Sequence, residues 1–468
     1  MQGLGSLIAT VARPSTAEAV VAARSARAAG ADRVEIRLDA LAEGEDPASV
    51  FPLAAEMPLL IAGARDRVRP GERRLLMNAQ AAGAWVDLPW AADLPDDLFG
   101  LDRTRLVLSW HDSADTPADL GSALARLRDL HPAVAKIVST ARDFPDVLAV
   151  RDLLAREGGR GDLCAFAMGA PGVPSRILAL AWGSCSTYAS APGGTPAAPG
   201  QLNMEEMLDT YRLRELRAND PLYALIGWPL ERSRSPALFN AWFGAAGLPD
   251  RYLPFPTRSA AGFLEGGRTL GLAGVAVTIP HKEAVLANCS QTSRLVRLLG
   301  ACNTLAKRER GWFGVNTDVF GVRRALASLP RGSRCLILGN GGAAAAAALA
   351  LRSIGPTAVS GRDSRRTVSF ARRFHVESVP WGTRARAAWD LLVNATPVGQ
   401  SGEESPMPGE GLSGRWLLDM VVRPGGTPLA RAALARGVEV FPGEAMLVPQ
   451  ARLQFRLWTG RRPPRAAP

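Results

Sequence analysis

The sequence predicts an α/β protein of two assemblies in tandem: an N-terminal (β/α)8 TIM barrel, then a two-part α/β unit ending in a Rossmann-like dinucleotide domain. Three observations predict it. From residue 7 to residue 190, short apolar runs alternate with amphipathic Ala/Arg-rich stretches, eight runs in all. One run, AVAKIVST (133–140), carries Lys136, and an apolar strand is a costly place for a lone ammonium. Later, CLILGNGGAAAAAALALRSIG (335–355) reads as strand, glycine turn and long alanine helix.

The chain's 468 residues exceed one ordinary core, and 47% apolar with 21% charged residues is the composition of a globular protein. The apolar run SLIATVA is short and lacks a basic leader, and AAAAAALAL (343–351) is too short to span a bilayer. A cytoplasmic protein without a membrane partner is expected. The five cysteines are scattered, with no CxxC pair and no metal-ligand spacing, so no metal site is expected. The formal charge of +11 comes from arginines spread along the whole chain, without aromatic interleaving or a basic tail. That distribution favours anionic small molecules over nucleic acid as partners.

The expected barrel strands are LIATVA (7–12), RVEIRLD (33–39), LLIAGAR (59–65), AWVDL (84–88), LVLSWH (106–111), AVAKIVST (133–140), LCAFAMG (163–169) and STYAS (186–190). Glu35, Arg37 and Asp39 alternate and so should share one strand face. Residues 1–207 form the expected barrel. An amphipathic helix, MEEMLDTYRLREL (204–216), is expected to lead into a linker at 208–220. A substrate-binding portion (221–325) and a dinucleotide-binding portion (326–468) follow, with a C-terminal helix returning to the substrate portion.

Lys136 with His111 on the preceding strand suggests carbonyl chemistry. A desolvated amine attacks a ketone to form an imine that stores electrons, and an imidazole titrates where proton transfer is useful. ExRxD (35–39), GAR ending at Arg65, SWHD (109–112), Lys136, MGAPGVPSR (168–176) and APGQ (198–201) follow in order. Together they resemble type I 3-dehydroquinate dehydratase, the Schiff-base class, over residues 5–205. The resemblance implies that Lys136 forms the imine and His111 moves the protons. It also implies that Arg176 pairs with the substrate carboxylate, while Glu35, Arg37, Arg65 and Gln201 hold hydroxyls. Two positions depart from the family: Pro89 stands where a histidine-orienting glutamate is usual, and Ala197 where a serine is usual.

In the second half, Gly339, Asn340, Gly341, Gly342 and Ala343 lie between an apolar strand and a helix, the context a pyrophosphate needs. After the next strand, Arg362, Arg365 and Arg366 outnumber Asp363, which favours the 2′-phosphate of NADP over the free ribose of NAD. GWPLERSRSP (227–236), VTIPHK (277–282), GACNTL (300–305), GVNTDVFG (314–321), NATPVG (394–399), DMVVRPGGTPL (419–429) and GEAMLVPQ (443–450) resemble shikimate dehydrogenase from about residue 220 to 462. The resemblance implies Lys282 and Asp318 as the catalytic pair. Ser233 and Ser235 would hold the carboxylate, Thr278, Asn303 and Gln450 the hydroxyls, and Asn394, Thr396, Met420 and Gly443 would line the cofactor. Arg232, Ala276 and Val422 replace the family's usual histidine, asparagine and tyrosine.

The two resemblances imply one bifunctional shikimate-pathway enzyme: dehydration of 3-dehydroquinate to 3-dehydroshikimate, then NADPH-dependent reduction to shikimate. The product of the first site is the substrate of the second. Two alternatives stay open: a second half of altered specificity, for quinate or NAD, and a second half reduced to a cofactor-binding module.

Overall fold

The computed structural model describes residues 7–63, 71–90, 100–230 and 233–464. It divides into two compact units. The first comprises Met1–Pro221, Pro229–Glu231 and Pro249–Leu270; the second comprises Leu222–Trp228, Arg232–Leu248 and Gly271–Pro468. No helix among the described residues is long and apolar enough to cross a membrane.

The first unit is built on eight parallel strands: β1 (Leu7–Val11), β2 (Arg33–Arg37), β3 (Leu59–Ala62), β4 (Trp85–Pro89), β5 (Leu106–His111), β6 (Val134–Thr140), β7 (Leu163–Met168) and β8 (Thr187–Ser190). They pair in the order β7-β6-β5-β4-β3-β2-β1-β8, so β1 sits between β2 and β8 and the sheet curls into a barrel. A main-chain bond from Cys185 N to Leu163 O (2.8 Å) ties the base of the remaining seam. Helices α1 (Thr16–Ala28), α2 (Glu72–Ala81), α3 (Leu120–Arg128), α4 (Phe144–Glu157) and α5 (Val173–Leu178) follow β1, β3, β5, β6 and β7, while a 3-10 segment, Pro47–Ala55, stands between β2 and β3. Short polar side chains start several of them. Ser15 accepts from Glu18 N, Asp119 from Ser122 N, and Asp143 forms a reciprocal box with Asp146.

Two expectations about local structure need correction. Asp39 is not on the β2 face: the strand ends at Arg37 and residues Leu38–Ala40 form a 3-10 turn. From that turn Asp39 grips the Arg37 guanidinium with both carboxylate oxygens, at 2.9 and 2.7 Å. The single helix expected over 204–216 is instead broken. A helical turn passes into a π-helix at Glu206–Thr210, Arg212 takes a left-handed conformation (φ 48°), and Leu213–Glu215 is a 3-10 turn. Periodicity missed the break because its cause is tertiary: the Arg212 guanidinium reaches Asp250 O at 2.9 Å, and the buried Arg251 donates to Tyr211 O at 2.8 Å.

After the barrel come β9 (Leu222–Gly227), α6 (Ser235–Ala245), β10 (Arg251–Pro256), α7 (Ala260–Gly266), β11 (Gly274–Val277), β12 (Cys289–Thr292), α8 (Arg294–Leu299), β13 (Thr304–Arg308), β14 (Gly311–Val315) and α9 (Asp318–Ala325). β10 and α7 group with the first unit, where Phe255 and Phe263 meet Phe144 of α4 at ring-centroid distances of 5.8 and 4.5 Å. In the second unit the strands run β9-β11-β13-β14-β12, a mixed sheet with antiparallel β11/β13 and β13/β14 pairs.

The chain then forms β15 (Cys335–Leu338), α10 (Gly342–Leu351), β16 (Thr357–Ser360), α11 (Ser364–Phe374), β17 (Glu377–Ser378), β18 (Leu391–Asn394), β19 (Trp416–Asp419), α12 (Pro428–Leu434), β20 (Glu439–Phe441) and α13 (Gly443–Thr459). This sheet is parallel throughout, in the order β17-β16-β15-β18-β19-β20, so the order reverses direction beside β15. In such sheets ligands bind at that reversal, outside the carboxyl ends of the strands. The alanines of α10 let it pack tightly against β15, β18 and α9 in one apolar core. α13 lies against α9 and continues to the mixed sheet, where Trp458 donates to Leu305 O at 3.0 Å.

Candidate active sites

At the C-terminal end of the barrel strands, Thr10, Glu35, Arg37, His111, Lys136, Arg176, Tyr188 and Gln201 line one small cavity, about 30 Å³. Lys136 lies at its base, 4% exposed. Its Nζ is 2.8 Å from Asp87 Oδ2, 3.8 Å from Glu35 Oε1, and 4.2 Å from the centroid of the Tyr188 ring. These four residues come from β6, β4, β2 and β8, the alternate strands that contribute one layer of a barrel interior. A layer normally filled with Val, Ile and Leu here holds an amine, two carboxylates and a phenol.

Burial pushes the Asp87 carboxyl up, but the charge and hydrogen bond of Lys136, helped by Ser109 and His111, hold it below the ordinary carboxylate range. Burial likewise pushes the Tyr188 phenol up, so it stays neutral. His111 ends β5, paired in register with Val138 of β6. Arg176, 1% exposed in α5, lies 4.5 Å from the Phe166 ring centroid. Gln201 is clamped between the Thr10 hydroxyl (3.1 Å) and the Ala197 amide (2.7 Å), so main chain holds it where the family's serine is absent. Gly200 makes that loop possible: with φ +73°, its added Cβ would stand 2.3 Å from Gly169 O. Arg65 lies outside the described residues.

In the second unit, Lys282 Nζ donates to Asp318 Oδ2 at 2.6 Å. Asp318 opens α9 and its other oxygen accepts from Asn303 Nδ2 at 2.8 Å. The Thr317 hydroxyl donates to Gln450 Oε1 at 2.8 Å, and Asn303 Oδ1 accepts from Thr317 N at 2.8 Å. Asn303, Thr317, Asp318 and Gln450 thus form one buried network drawn from the residue before β13, the cap and first residue of α9, and α13. Ser233 and Ser235 stand at the start of α6, where Ser233 Oγ accepts from Ser235 N at 3.3 Å. Thr278 is half-buried just beyond β11. Arg232 lies outside the described residues.

Beside Lys282 opens a cavity of about 410 Å³, lined by Gly339 through Ala343, Arg362, Arg366 and Thr396. A Cβ on Gly342 would come within 3.4 Å of Lys282 Cδ, so the lysine stands directly over the glycine turn. Nothing lies within 4 Å of a Cβ built on Gly341, leaving the amides that start α10 open to an anion. The residues present therefore fit a dinucleotide. Asp363 spends its carboxylate on capping α11, accepting from Arg366 N at 3.0 Å, and Arg362 and Arg366 face the cavity. This basic rim suits a 2′-phosphate.

The structure also distributes the other expected cofactor residues. Thr396 lines the cavity; Arg365, Asn394, Met420 and Gly443 are not among its lining residues. Asn394 is fully buried and acts one step back, donating to Asp419 Oδ1 at 2.9 Å and accepting from Thr396 Oγ1 at 2.7 Å. Burial pushes the Asp419 carboxyl up. Sequence reasoning missed Asp87, Tyr188, Thr10, Thr317 and Trp381, the last of which also lines the cofactor cavity. Asp87 was visible in WVDLPW as a carboxylate inside an apolar strand, the same signal that singled out Lys136.

An imine-forming lyase barrel followed by a dinucleotide-dependent oxidoreductase is the class that this fold and these two sites define. Residues 7–218 match the model of type I 3-dehydroquinase, 225–305 that of the shikimate dehydrogenase substrate binding domain, and 443–467 that of the shikimate 5'-dehydrogenase C-terminal domain. The shikimate dehydrogenase (NADP(+)) of Pelobacter propionicus is 37% identical over 259 residues, 53% of this chain and 93% of its own length. The chain belongs to the shikimate dehydrogenase family, with a type I 3-dehydroquinase domain ahead of that portion. The bifunctional 3-dehydroquinate dehydratase/shikimate dehydrogenase of Arabidopsis thaliana, a chloroplastic protein, is 28% identical over 502 residues, 97% of this chain and 82% of its own. Among solved structures, shikimate 5-dehydrogenase from Thermus thermophilus with NADP(H) and shikimate aligns at 36% identity, covering 52% of this chain and 95% of its own, with a TM-score of 0.48.

Proposed function

We propose that the two units catalyse consecutive steps: dehydration of 3-dehydroquinate through an imine on Lys136, then NADPH-dependent reduction of 3-dehydroshikimate to shikimate. The observation that carries the reading is one amine–carboxylate pair in each unit, Lys136–Asp87 at 2.8 Å and Lys282–Asp318 at 2.6 Å, each beside a cavity. In the barrel, the Lys136 imine is the electron sink. His111 removes the proton next to it and returns a proton to the departing hydroxyl. Arg176 takes the substrate carboxylate, and Glu35, Arg37 and Gln201 orient its hydroxyls. In the second unit, Ser233 and Ser235 hold the carboxylate, while Asn303, Thr278 and Gln450 orient the ring hydroxyls. Lys282 hands a proton to the reacting oxygen and Asp318 fixes its ammonium. The glycine turn, Arg362 and Arg366 hold NADPH, whose bound nicotinamide supplies the hydride.

The test is one absorbance time course with 3-dehydroquinate and NADPH. Loss of NADPH absorbance shows both steps in series. Enone accumulation with NADPH untouched leaves a working dehydratase and refutes the second half of the reading.

A further inference from the structure

The imine cannot form from an ammonium. Lys136 must lose a proton before it attacks, and the carbinolamine must gain one to release its hydroxyl as water. Two carboxylates approach Lys136, at unequal distances. Glu35 is 3.8 Å away, beyond hydrogen-bond reach, whereas Asp87 Oδ2 is hydrogen-bonded at 2.8 Å. The second oxygen, Asp87 Oδ1, is buried and has no hydrogen-bond partner among the described residues. Beside it on β4, Pro89 offers no side chain that can carry a proton, and β4 pairs Pro89 with Ser109 of β5.

We propose that Asp87 is the catalytic base and acid of imine formation, leaving His111 for the proton transfers on the substrate itself. The inference rests on the dehydratase reading above. Asp87 takes the proton from the Lys136 ammonium, the free amine adds to the ketone carbon with a C–N bond formed and the C=O π bond broken, and one proton passes from the new ammonium nitrogen to the alkoxide to give the carbinolamine. The protonated Asp87 then gives its proton to the carbinolamine hydroxyl, which leaves as water. In sum, R–NH3⁺ and R′2C=O become R–NH⁺=CR′2 and H2O, with charge conserved. The unpaired Oδ1 serves as the second acceptor during this exchange. Among the described residues, the other titratable or charged groups around the pair are Glu35 and Arg37 from β2, His111 from β5, Cys164 from β7 and Tyr188 from β8.

The test begins with the unaltered chain. Single-turnover imine formation with 3-dehydroquinate is trapped with borohydride between pH 5 and 9, and the adduct on Lys136 is measured by mass. The rate is expected to stay flat through the histidine range near pH 6.5, while enone release follows it. An imine rate that falls away through the histidine range assigns this proton to His111 and overturns the proposal. In Asp87→Asn, trapping is expected to slow at least about 100-fold and to recover partly as pH rises, with the KM for 3-dehydroquinate little changed. A folded Asp87→Asn barrel that traps at the unaltered rate also overturns it. Absence of any adduct on the unaltered chain refutes the dehydratase reading instead.

Discussion

Lys136 and Lys282 are each matched to a carboxylate, yet their surroundings differ. Lys136 and Asp87 are sealed in the barrel interior, while Lys282 is 14% exposed at the rim of the cofactor cavity. Replacing Lys136 with Ala should remove the proposed imine and lower dehydratase turnover by at least about 1000-fold. NADP-linked oxidation of shikimate by the same variant should be unchanged, because Lys282, Asp318 and their network are untouched. Steady-state assays of the two half-reactions check this. The buried pair also governs acid stability. The folded carboxyl of Asp87 is held below its unfolded value, so its contribution is complete above about pH 3.9 and is lost as pH falls through the lower folded value. Asp87→Asn leaves Lys136 without its nearest partner and should cost about 3 kcal/mol at neutral pH. Urea melts of both proteins between pH 3 and 7 should show that deficit narrowing towards the acid end.

At the scale of elements, the glycine turn between β15 and α10 is closely constrained at its first residue. Gly339 has φ +108°, and a Cβ there would stand 3.0 Å from Ala395 O. Gly339→Ala should therefore cost about 1–3 kcal/mol and raise the KM for NADPH several-fold, with dehydratase activity intact. A cofactor titration beside a dehydratase assay separates that outcome from general misfolding, which would lower both. The Asn394–Asp419–Thr427 cluster supports the same turn from behind: Thr427 Oγ1 donates to Asp419 Oδ2, and Asp419 holds Asn394. The motif containing Asn394 thus acts by shaping the loop that carries Thr396 to the cavity.

At the scale of the whole molecule, a formal charge of +11 faces substrates that all carry a carboxylate. Long-range attraction of that kind speeds encounter and is screened by salt. kcat/KM for 3-dehydroquinate should fall roughly two- to tenfold between about 0.05 and 0.5 M sodium chloride, with kcat little affected. A salt-independent kcat/KM would mean that the surface arginines do not steer substrate.

Much of this molecule was legible in the chain itself. Period and composition mark the eight barrel strands and the βαβ turn, because each is a local pattern of apolar residues and glycine within one segment. Lys136 and His111 stand out for a similar local reason, as polar groups in or at the end of apolar strands; Lys282 and Asp318 do not, and only the shikimate dehydrogenase motifs around them single them out. The break at Arg212 and the capping role of Asp363 were not legible, since both are decided by partners that periodicity does not record. Least legible was the meaning of Asp87. It lies 49 residues before Lys136 and on a strand that does not pair with β6. Only closure of the sheet points alternate strands into one interior layer, and that closure, not any local pattern, puts a carboxylate on the amine. Sequence alone therefore determined which reactive groups the protein owns; the tertiary structure decided which of them meet, because contact across a barrel follows from the curvature of the whole sheet.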